Sequence, residues 1–293
     1  MVVLENEFLR VTINEMGGSL DSIYDKKRNN EIMYEIDSRS WSSKDIVIFP
    51  FVARLKNNTY TVDNNEYSMK NHGIIRYNKL NVWEKSNEKC VLYLDSNKDT
   101  LKEYPYIFHF EVIYLLDHNK ISINYKIVNT DNKPIYYEYG GHPAIKVDGI
   151  EKDNGFEIQN TILEFESNIE TQKFNLDESG SYIVDKTMVS IPSEFIISKE
   201  KIEESKTLIF DAKNIDRCIL KTLGYRFYFD IKDFQILALW TYPGYGNYLC
   251  VEPWNGIPDI FNPNRELKCK PYIHSLNPNE CEEKGYSITI SYE

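Results

Sequence analysis

The sequence predicts an all-β protein built from two large antiparallel sheets packed face to face as a sandwich, with few short helices. Three observations support this prediction: apolar and polar residues alternate over long stretches, amphipathic helical patterns are scarce, and the chain contains 22 tyrosines. Tyrosine suits sheet surfaces, because its ring packs while its hydroxyl stays hydrated. No proline-, glycine- or serine-rich linker divides the 293 residues. We therefore expect a single sandwich domain over residues 1–293.

The clearest strand signal is a pair of alternating stretches joined by a polar turn. Residues 108–116 place an aromatic or aliphatic side chain at every second position, residues 121–127 repeat the pattern, and Asp117-His118-Asn119 separates them. This arrangement predicts a β-hairpin. Further strands are predicted at 89–95, 223–231, 235–240 and 286–292. Short helices are predicted at 98–103 and 257–266.

Composition restricts the partners of the chain. The formal net charge of −11 argues against nucleic acids and anionic membranes, which both attract basic surfaces. The most apolar run, residues 46–53, is much shorter than the ~20 residues that cross a bilayer. The five cysteines include no Cys-x-x-Cys pair, and charged residues interrupt the N-terminal segment. We expect a cytoplasmic monomer or homodimer whose partner is a small molecule.

Two short motifs each place a proton-transferring side chain directly before a proline. The first is Gly140-Gly141-His142-Pro143-Ala144, and the second is Cys250-Val251-Glu252-Pro253-Trp254-Asn255-Gly256. Proline fixes its own φ and favours an extended conformation in the preceding residue. A histidine and a carboxylate held in this way can donate one proton and accept another. Sequence alone also allows His142 to be a buried histidine bonded to the backbone.

A third stretch combines an aromatic-proline pair, an arginine and two turns. It runs Phe49-Pro50 to Tyr60 through Arg54 and Asn57-Asn58, and is followed by Asn71-His72-Gly73-Ile74-Ile75-Arg76. Turns at sheet edges commonly carry ligand-binding side chains. The guanidinium of Arg54 can donate two parallel hydrogen bonds to sugar hydroxyls or to a carboxylate, although it can equally pair with a structural acid.

Together, Arg54, His72-Gly73, His142-Pro143 and Glu252-Pro253-Trp254 resemble, in this order, the aldose 1-epimerase (galactose mutarotase) family. The resemblance covers nearly the whole chain and is nearest to a divergent bacterial branch found beside lactose-utilisation genes. It implies the galactose mutarotase-like supersandwich, with Glu252 as catalytic base and His142 as catalytic acid. It also implies that Arg54 and His72 contact the substrate.

Other positions follow the family pattern less closely. Asp259 matches an acidic position after the Glu-Pro-Trp motif, and Ala53 stands where many members have glycine. His142-Pro143 continues as Ala144-Ile145-Lys146 instead of with an aromatic residue and an asparagine. The aspartate that binds sugar in galactose-specific members has no clear counterpart, and Asp211 and Asp230 are the candidates. Trp240 and Trp254, with Tyr242, are candidates for a platform on which a sugar ring stacks.

The implied reaction interconverts the α and β anomers of a sugar, and it needs neither a metal nor a redox cofactor. A base removes the proton of the C1 hydroxyl while an acid protonates the ring oxygen, so that the ring opens, the C1–C2 bond rotates and the ring closes again. We expect Arg54, His72, His142 and Glu252 to converge on one open cleft on a sheet face.

Three alternatives remain open at the level of sequence. A hexose-phosphate mutarotase needs additional cations, for which Arg76 and Arg217 are candidates. A non-catalytic carbohydrate-binding or sensing protein would keep the same sandwich. A glycosidase would use Glu138 and Glu252 as a pair of facing carboxylates.

Overall fold

The computed structural model describes residues 1–293, and β-strands dominate it. In the first half of the chain the strands are β1 Val2–Glu5, β2 Leu9–Ile13, β3 Leu20–Asp25, β4 Asn30–Glu31, β5 Thr59–Val62, β6 Asn65–Ser68, β7 Asn81–Lys85, β8 Lys89–Asp95, β9 Phe108–Asp117, β10 Lys120–Asn129, β11 Ile135–Tyr137, β12 Tyr139–Gly140 and β13 Ala144–Lys146. In the second half they are β14 Gly149–Lys152, β15 Gly155–Ile158, β16 Ile162–Glu164, β17 Ile169–Leu176, β18 Ile183–Ile191, β19 Glu194–Ile196, β20 Leu208–Asp211, β21 Arg217–Thr222, β22 Tyr225–Asp230, β23 Ile236–Trp240, β24 Tyr248–Asn255, β25 His274–Leu276 and β26 Cys281–Tyr292.

Two large antiparallel sheets organise these strands, which confirms the predicted sandwich. One sheet has nine strands in the order β19-β16-β21-β22-β26-β10-β9-β8-β7. The other has seven strands, in the order β12-β24-β23-β20-β17-β18, with β13 also paired to β24. A four-stranded sheet, β1 to β4, and three two-stranded ladders complete the fold.

The predicted hairpin is present in the nine-stranded sheet. β9 and β10 pair from Phe108↔Asn129 to Asp117↔Lys120, with burial alternating along both strands. His118 lies in the turn with a φ of 52°. The alternating pattern therefore predicted both the strands and their register, because one face of each strand is buried in the core.

The other predicted strands are also present, with shifted ends. β8 has the predicted bounds, and β23 begins one residue later than expected. β22 begins at Tyr225, because Leu223 and Gly224 form a turn with positive φ values. β26 begins at Cys281, five residues before its predicted start.

The helices were predicted less well. α1, Thr100–Glu103, lies within the predicted segment 98–103, whereas the helix predicted at 257–266 was wrong. That segment is irregular because Pro258 and Pro263 lack an N–H group and Ile260 bridges to Ile183. α2, Lys199–Ser205, was not predicted, although Ser198 caps it by accepting a hydrogen bond from the Lys201 N–H. No helix has the length and apolar character needed to span a lipid bilayer.

Short 3₁₀ turns complete the list of helical elements. Lys56–Asn58 and Ile75–Tyr77 include residues of the third sequence motif. Leu267–Cys269 precedes β25.

The main core lies between the two large sheets and uses one face of β24. Leu249 and Val251 belong to the same cluster of buried apolar side chains as Phe110, Tyr125 and Ile288 of the nine-stranded sheet. Successive side chains of a strand point to opposite faces. The alternate residues of β24 therefore lie on the face that points away from the main core.

This second face of the seven-stranded sheet carries its own small clusters. Trp254 packs with Ala238 and Ile236 in one cluster, and Cys250 packs with Tyr248 in another. Glu252 lies between Cys250 and Trp254 on the same face of β24. The functional site described below is built on this face.

Candidate active site

Residues that are far apart in the chain line one cavity on the second face of the seven-stranded sheet. Arg54, His72, His142 and Glu252 are all among its lining residues, as expected from the sequence. The cavity has a volume of about 270 Å³, near the lower end of the range for small-molecule sites. Its remaining walls combine aromatic, polar and apolar side chains, which include Trp41, Trp240, Tyr242, Trp254, Asn71, Ser181, Thr207, Arg76, Ile46 and Ile209.

Glu252 is a buried carboxyl group without a hydrogen-bond donor. It lies in the middle of β24, opposite Ala238 of β23, and its residue surface is only 1% exposed. Both carboxyl oxygens are buried and accept no hydrogen bond of good geometry, although His142 Nε2 lies 3.1 Å from Oε2. Burial raises the pKa of Glu252 well above its usual range, and the nearby Asp45 carboxylate raises it further. The Trp254 indole N–H lowers this pKa, although it has no hydrogen-bond partner of good geometry.

Two glycines allow His142 to reach Glu252. A Cβ atom on Gly140 would lie 2.5 Å from the Pro253 carbonyl oxygen, and one on Gly141 would lie 2.5 Å from the Tyr286 hydroxyl. Gly140 therefore lets this segment pack directly against β24, and Gly141 lets it approach Tyr286 of β26. The consequence is a separation of 3.1 Å between His142 Nε2 and Glu252 Oε2.

Burial also controls the charge of His142. It lowers the pKa of the imidazole to about 3, so that His142 is neutral near pH 7. Both pKa shifts favour uncharged side chains, because the raised pKa keeps the proton on Glu252 and the lowered pKa keeps His142 neutral. Any proton that the pair holds therefore resides on Glu252 in the resting state.

Asp45 lies behind this pair and was not singled out from the sequence. Its carboxylate accepts hydrogen bonds from the main-chain N–H groups of His142, at 3.3 Å, and Leu20, at 2.8 Å. Burial raises the pKa of Asp45 to about 6. Asp45 thus fixes the backbone of His142 and adds negative potential near Glu252.

Trp41 is the second residue that sequence reasoning missed. Its ring lies 4.7 Å from that of His142, at an interplanar angle of 31°, while Trp240 meets His142 edge-on at 5.6 Å. These two rings restrain the imidazole and exclude water from it. A tryptophan within the polar stretch Asp37 to Lys44 is the sequence signal that could have indicated a ligand-facing role.

His72 lies beside His142, with 5.3 Å between the centres of the two rings. Its Nδ1 accepts a hydrogen bond from the Ala53 N–H at 3.2 Å, and the main-chain N–H of His72 donates to the Ala53 carbonyl at 2.9 Å. Burial lowers the pKa of His72 well below its usual range. A neutral His72 whose Nδ1 accepts must carry its proton on Nε2, which can donate to a ligand.

Two arginines in the cavity lack an acidic partner. No carboxylate lies within 4 Å of Arg54 or Arg76. Arg54 is exposed, whereas Arg76 is partly buried, and this burial lowers the pKa of Arg76. The structure therefore does not support the alternative in which Arg54 pairs with a structural acid. Both side chains are free to bind a ligand.

Several other predicted residues lie elsewhere. Asp259 is buried and accepts a hydrogen bond from the main-chain N–H of Lys56 at 2.8 Å, so that it supports the loop that carries Arg54. Asp211 ends β20, bonds to the N–H of a residue in the following turn and does not line the cavity. Asp230 and Arg217 bond to each other at 2.5 Å in the nine-stranded sheet. Arg217, a candidate cation for a hexose phosphate, does not line the cavity, because β21 belongs to the nine-stranded sheet.

Glu138 is also buried, but it is fully bonded. It pairs with the ammonium of Lys270 and accepts hydrogen bonds from the main-chain N–H groups of Val52 and Ile257. It does not line the cavity. The facing pair of free carboxylates that a glycosidase requires is therefore not formed by Glu138 and Glu252.

The fold and the cavity define a class of protein: an antiparallel supersandwich of the galactose mutarotase type, with a histidine-glutamate pair on the outer face of one sheet. The family model for aldose 1-epimerase matches residues 1–271, and the chain belongs to this family.

Individual relatives agree with this assignment. The chain is 25% identical to the chromosomal protein LacX of Lactococcus lactis subsp. lactis over 99% of both chains, and equally to the plasmid form. A galactose mutarotase related enzyme from Lactobacillus acidophilus superposes with a TM-score of 0.90 at 24% identity, over 99% of this chain and 96% of the other. A galactose mutarotase-like protein from Lactobacillus casei superposes with a TM-score of 0.92 at 22% identity, over 99% and 100%.

Proposed function

We propose that the protein is an aldose 1-epimerase that interconverts the α and β anomers of a sugar with a free C1 hydroxyl. Glu252 is the base and His142 is the acid. The observation that carries this proposal is the 3.1 Å separation of His142 Nε2 and Glu252 Oε2 in a cavity lined by both side chains. Membership of the aldose 1-epimerase family supports it.

The reaction needs one proton on the pair. In the resting site that proton lies on Glu252, because burial raises the pKa of Glu252 and lowers that of His142. Transfer of the proton across the 3.1 Å gap gives the productive tautomer, a carboxylate beside an imidazolium. The carboxylate then removes the proton of the C1 hydroxyl while the imidazolium protonates the ring oxygen, which opens the ring. After rotation about C1–C2, the same groups act in reverse.

The remaining side chains would bind and orient the sugar. Arg54 and His72 Nε2–H supply hydrogen bonds to hydroxyl groups, and Trp240 and Trp254 offer aromatic faces for the apolar side of a pyranose. Two relatives of known structure are named after galactose mutarotase, so galactose is the first sugar to test. A cytoplasmic location and a monomeric or dimeric state remain predictions from the sequence.

The test is anomer exchange of the purified protein, followed by NMR or polarimetry on freshly dissolved α-anomers of galactose, glucose and other free hexoses. We expect conversion far above the spontaneous rate for at least one of them. Binding of these sugars in calorimetry without any acceleration would instead support a non-catalytic carbohydrate-binding protein on the same sandwich.

A hexose-phosphate mutarotase is the second candidate, and one observation favours it. Arg54 and Arg76 both line the cavity without an acidic partner, and such free guanidinium groups suit a phosphate. The same assay with hexose 6-phosphates distinguishes the two candidates. If only phosphorylated sugars react, and if Arg76→Gln raises their KM at least tenfold, this candidate replaces the first.

A further inference from the structure

Three side chains with metal-binding atoms meet beneath the cavity. Cys250 and Glu252 are two residues apart on the same face of β24, and Ala144 of β13 pairs with Cys250, which brings His142 beside both. One imidazole nitrogen, the Cys250 Sγ and one Glu252 oxygen all lie within 4.8 Å of one another, and all three residues are buried. In the reaction proposed above, Cys250 has no role.

The cluster contains unused ligand atoms. Both Glu252 oxygens and His142 Nδ1 are buried and have no hydrogen-bond partner. Buried polar atoms are nearly always bonded, so these atoms indicate a group that binds there. During turnover the sugar would use the Glu252 oxygens, whereas the Cys250 thiol beside them suggests a second kind of ligand.

The ligand set matches a three-residue zinc site. Zinc binds sulfur, nitrogen and oxygen at roughly 2.0–2.3 Å, so tetrahedral ligand atoms lie about 3.3–3.7 Å apart. The 3.1 Å between His142 Nε2 and Glu252 Oε2 is already close to this value, and Cys250 Sγ needs to move by roughly 1 Å. His142 and Glu252 line the open cavity, which leaves a fourth position for water.

We infer that His142, Cys250 and Glu252 form a binding site for a thiophilic divalent cation such as Zn²⁺, and that the bound ion blocks the acid–base pair. Coordination uses the lone pairs that would exchange protons with the sugar, and it releases both the Cys250 thiol proton and the proton held by Glu252 to solvent. The inhibitory effect rests on the proposed function, but the binding of the ion does not.

The other cysteines provide the controls for a test. Cys269 and Cys281 are exposed and would bind metal at the surface, so the experiment uses the full chain with both replaced by serine. Cys218 is buried in the main core, and neither a histidine nor an acid joins it in a metal-binding cluster. Cys218→Ser is therefore the matched control for Cys250→Ser.

Cobalt(II) is the probe for binding, because a thiolate ligand gives Co²⁺ an intense near-ultraviolet charge-transfer band. We expect this band at one equivalent in the surface-cysteine background and in the Cys218→Ser control. It should disappear in Cys250→Ser, and Zn²⁺ affinity should fall at least tenfold in calorimetry. If Cys250→Ser does not fold, His142→Asn is measured instead and should weaken Zn²⁺ at least tenfold.

The activity assay separates this inference from the proposed function. Zn²⁺ should inhibit anomer exchange in competition with sugar, and the inhibition constant should rise at least tenfold in Cys250→Ser relative to the Cys218→Ser control. A Co²⁺ band without any epimerase activity would leave the metal site standing and refute the proposed function. No charge-transfer band in the background protein, or a band that Cys250→Ser does not change, would overturn the inference.

Discussion

Two buried glutamates of the molecule, Glu138 and Glu252, have opposite surroundings. Glu138 is 0% exposed and is bonded to Lys270 and to the main-chain N–H groups of Val52 and Ile257. Glu252 is 1% exposed and has no hydrogen-bond donor on either oxygen. Burial raises the pKa of both carboxyl groups, but Lys270 and the two N–H groups oppose this effect only at Glu138.

The difference teaches that burial alone does not tell a structural acid from one that is free to act on a substrate. Glu138 joins the loop before Arg54 to the loop after β24, because Val52 belongs to the first and Ile257 to the second. Glu252 contributes no such connection, and an unsatisfied buried group destabilises a fold by about 1–3 kcal/mol. A carboxyl group kept in that state is available to a substrate.

The strongest test of this comparison is the activity of Glu252→Gln. The amide keeps the size of the side chain but cannot accept the proton of the C1 hydroxyl, so we expect the rate of anomer exchange to fall by about 10²–10⁴-fold. Sugar affinity in calorimetry should change little, because the amide still forms a hydrogen bond. A near wild-type rate would remove Glu252 from the mechanism. His142→Asn should behave similarly, since it deprives the ring oxygen of its proton donor.

The corresponding change at the other acid should affect stability. Glu138→Gln leaves the buried Lys270 ammonium without its counter-charge, and breaking a buried pair in this way costs about 3–5 kcal/mol. The measurement is the free energy of unfolding in urea. The exposed pair Arg10–Glu5 is the control, and Arg10→Gln should leave the unfolding curve almost unchanged. Equal curves for Glu138→Gln and the wild type would contradict the structural role.

The pH profile tests how Asp45 influences the proposed acid–base pair, His142 and Glu252. Activity requires one shared proton, so the rate should be bell-shaped, with both apparent pKa values belonging to the pair. Asp45→Asn removes a negative charge that raises the pKa of Glu252, so the alkaline limb should move to lower pH. The acidic limb should move less, because the Asp45 pKa of about 6 means that it is largely protonated there. An unchanged alkaline limb would exclude this coupling.

The smallest expected effect concerns the loop that carries Arg54. Ala53 has a φ of 52°, in the left-handed region that favours the glycine found in many family members. Ala53→Gly should therefore raise the free energy of unfolding by up to about 1 kcal/mol. Ala212 does not have a positive φ, so Ala212→Gly is the control and should destabilise the protein. Destabilisation by both changes would show that strain at Ala53 is negligible.

The sequence predicted the fold well where one face of a strand is buried. Phe108 to Asn129 alternates strictly, so both strands and their turn were found. α2 was missed because it is a single short element whose buried face is limited to Ile202. The helix predicted at 257–266 failed because Asp259 and Ile260 bond to other loops, and tertiary contacts of this kind leave no periodic signal.

The candidate site was predicted in part, and for a different reason. Arg54, His72, His142 and Glu252 were found through their resemblance to a family, because no periodicity links strands so far apart. Asp45 and Trp41 were missed since they lie in an irregular segment and act through His142. The position of Arg217 depends on which sheet contains β21, and strand order cannot be derived from alternation.

The central claim is that the burial of Glu252 destabilises the folded state and leaves its carboxyl group available to the substrate. The most direct measurement is the free energy of unfolding of Glu252→Gln in urea at pH 7. A carboxyl group with a raised pKa destabilises the folded state above its unfolded pKa of about 4.3, and the amide removes this penalty. We predict that the variant is as stable as the wild type or more stable at pH 7, with any gain shrinking as the pH falls towards 4. A loss of 3 kcal/mol or more, on the order expected for a broken buried pair, would contradict the account and make Glu252 a structural residue like Glu138.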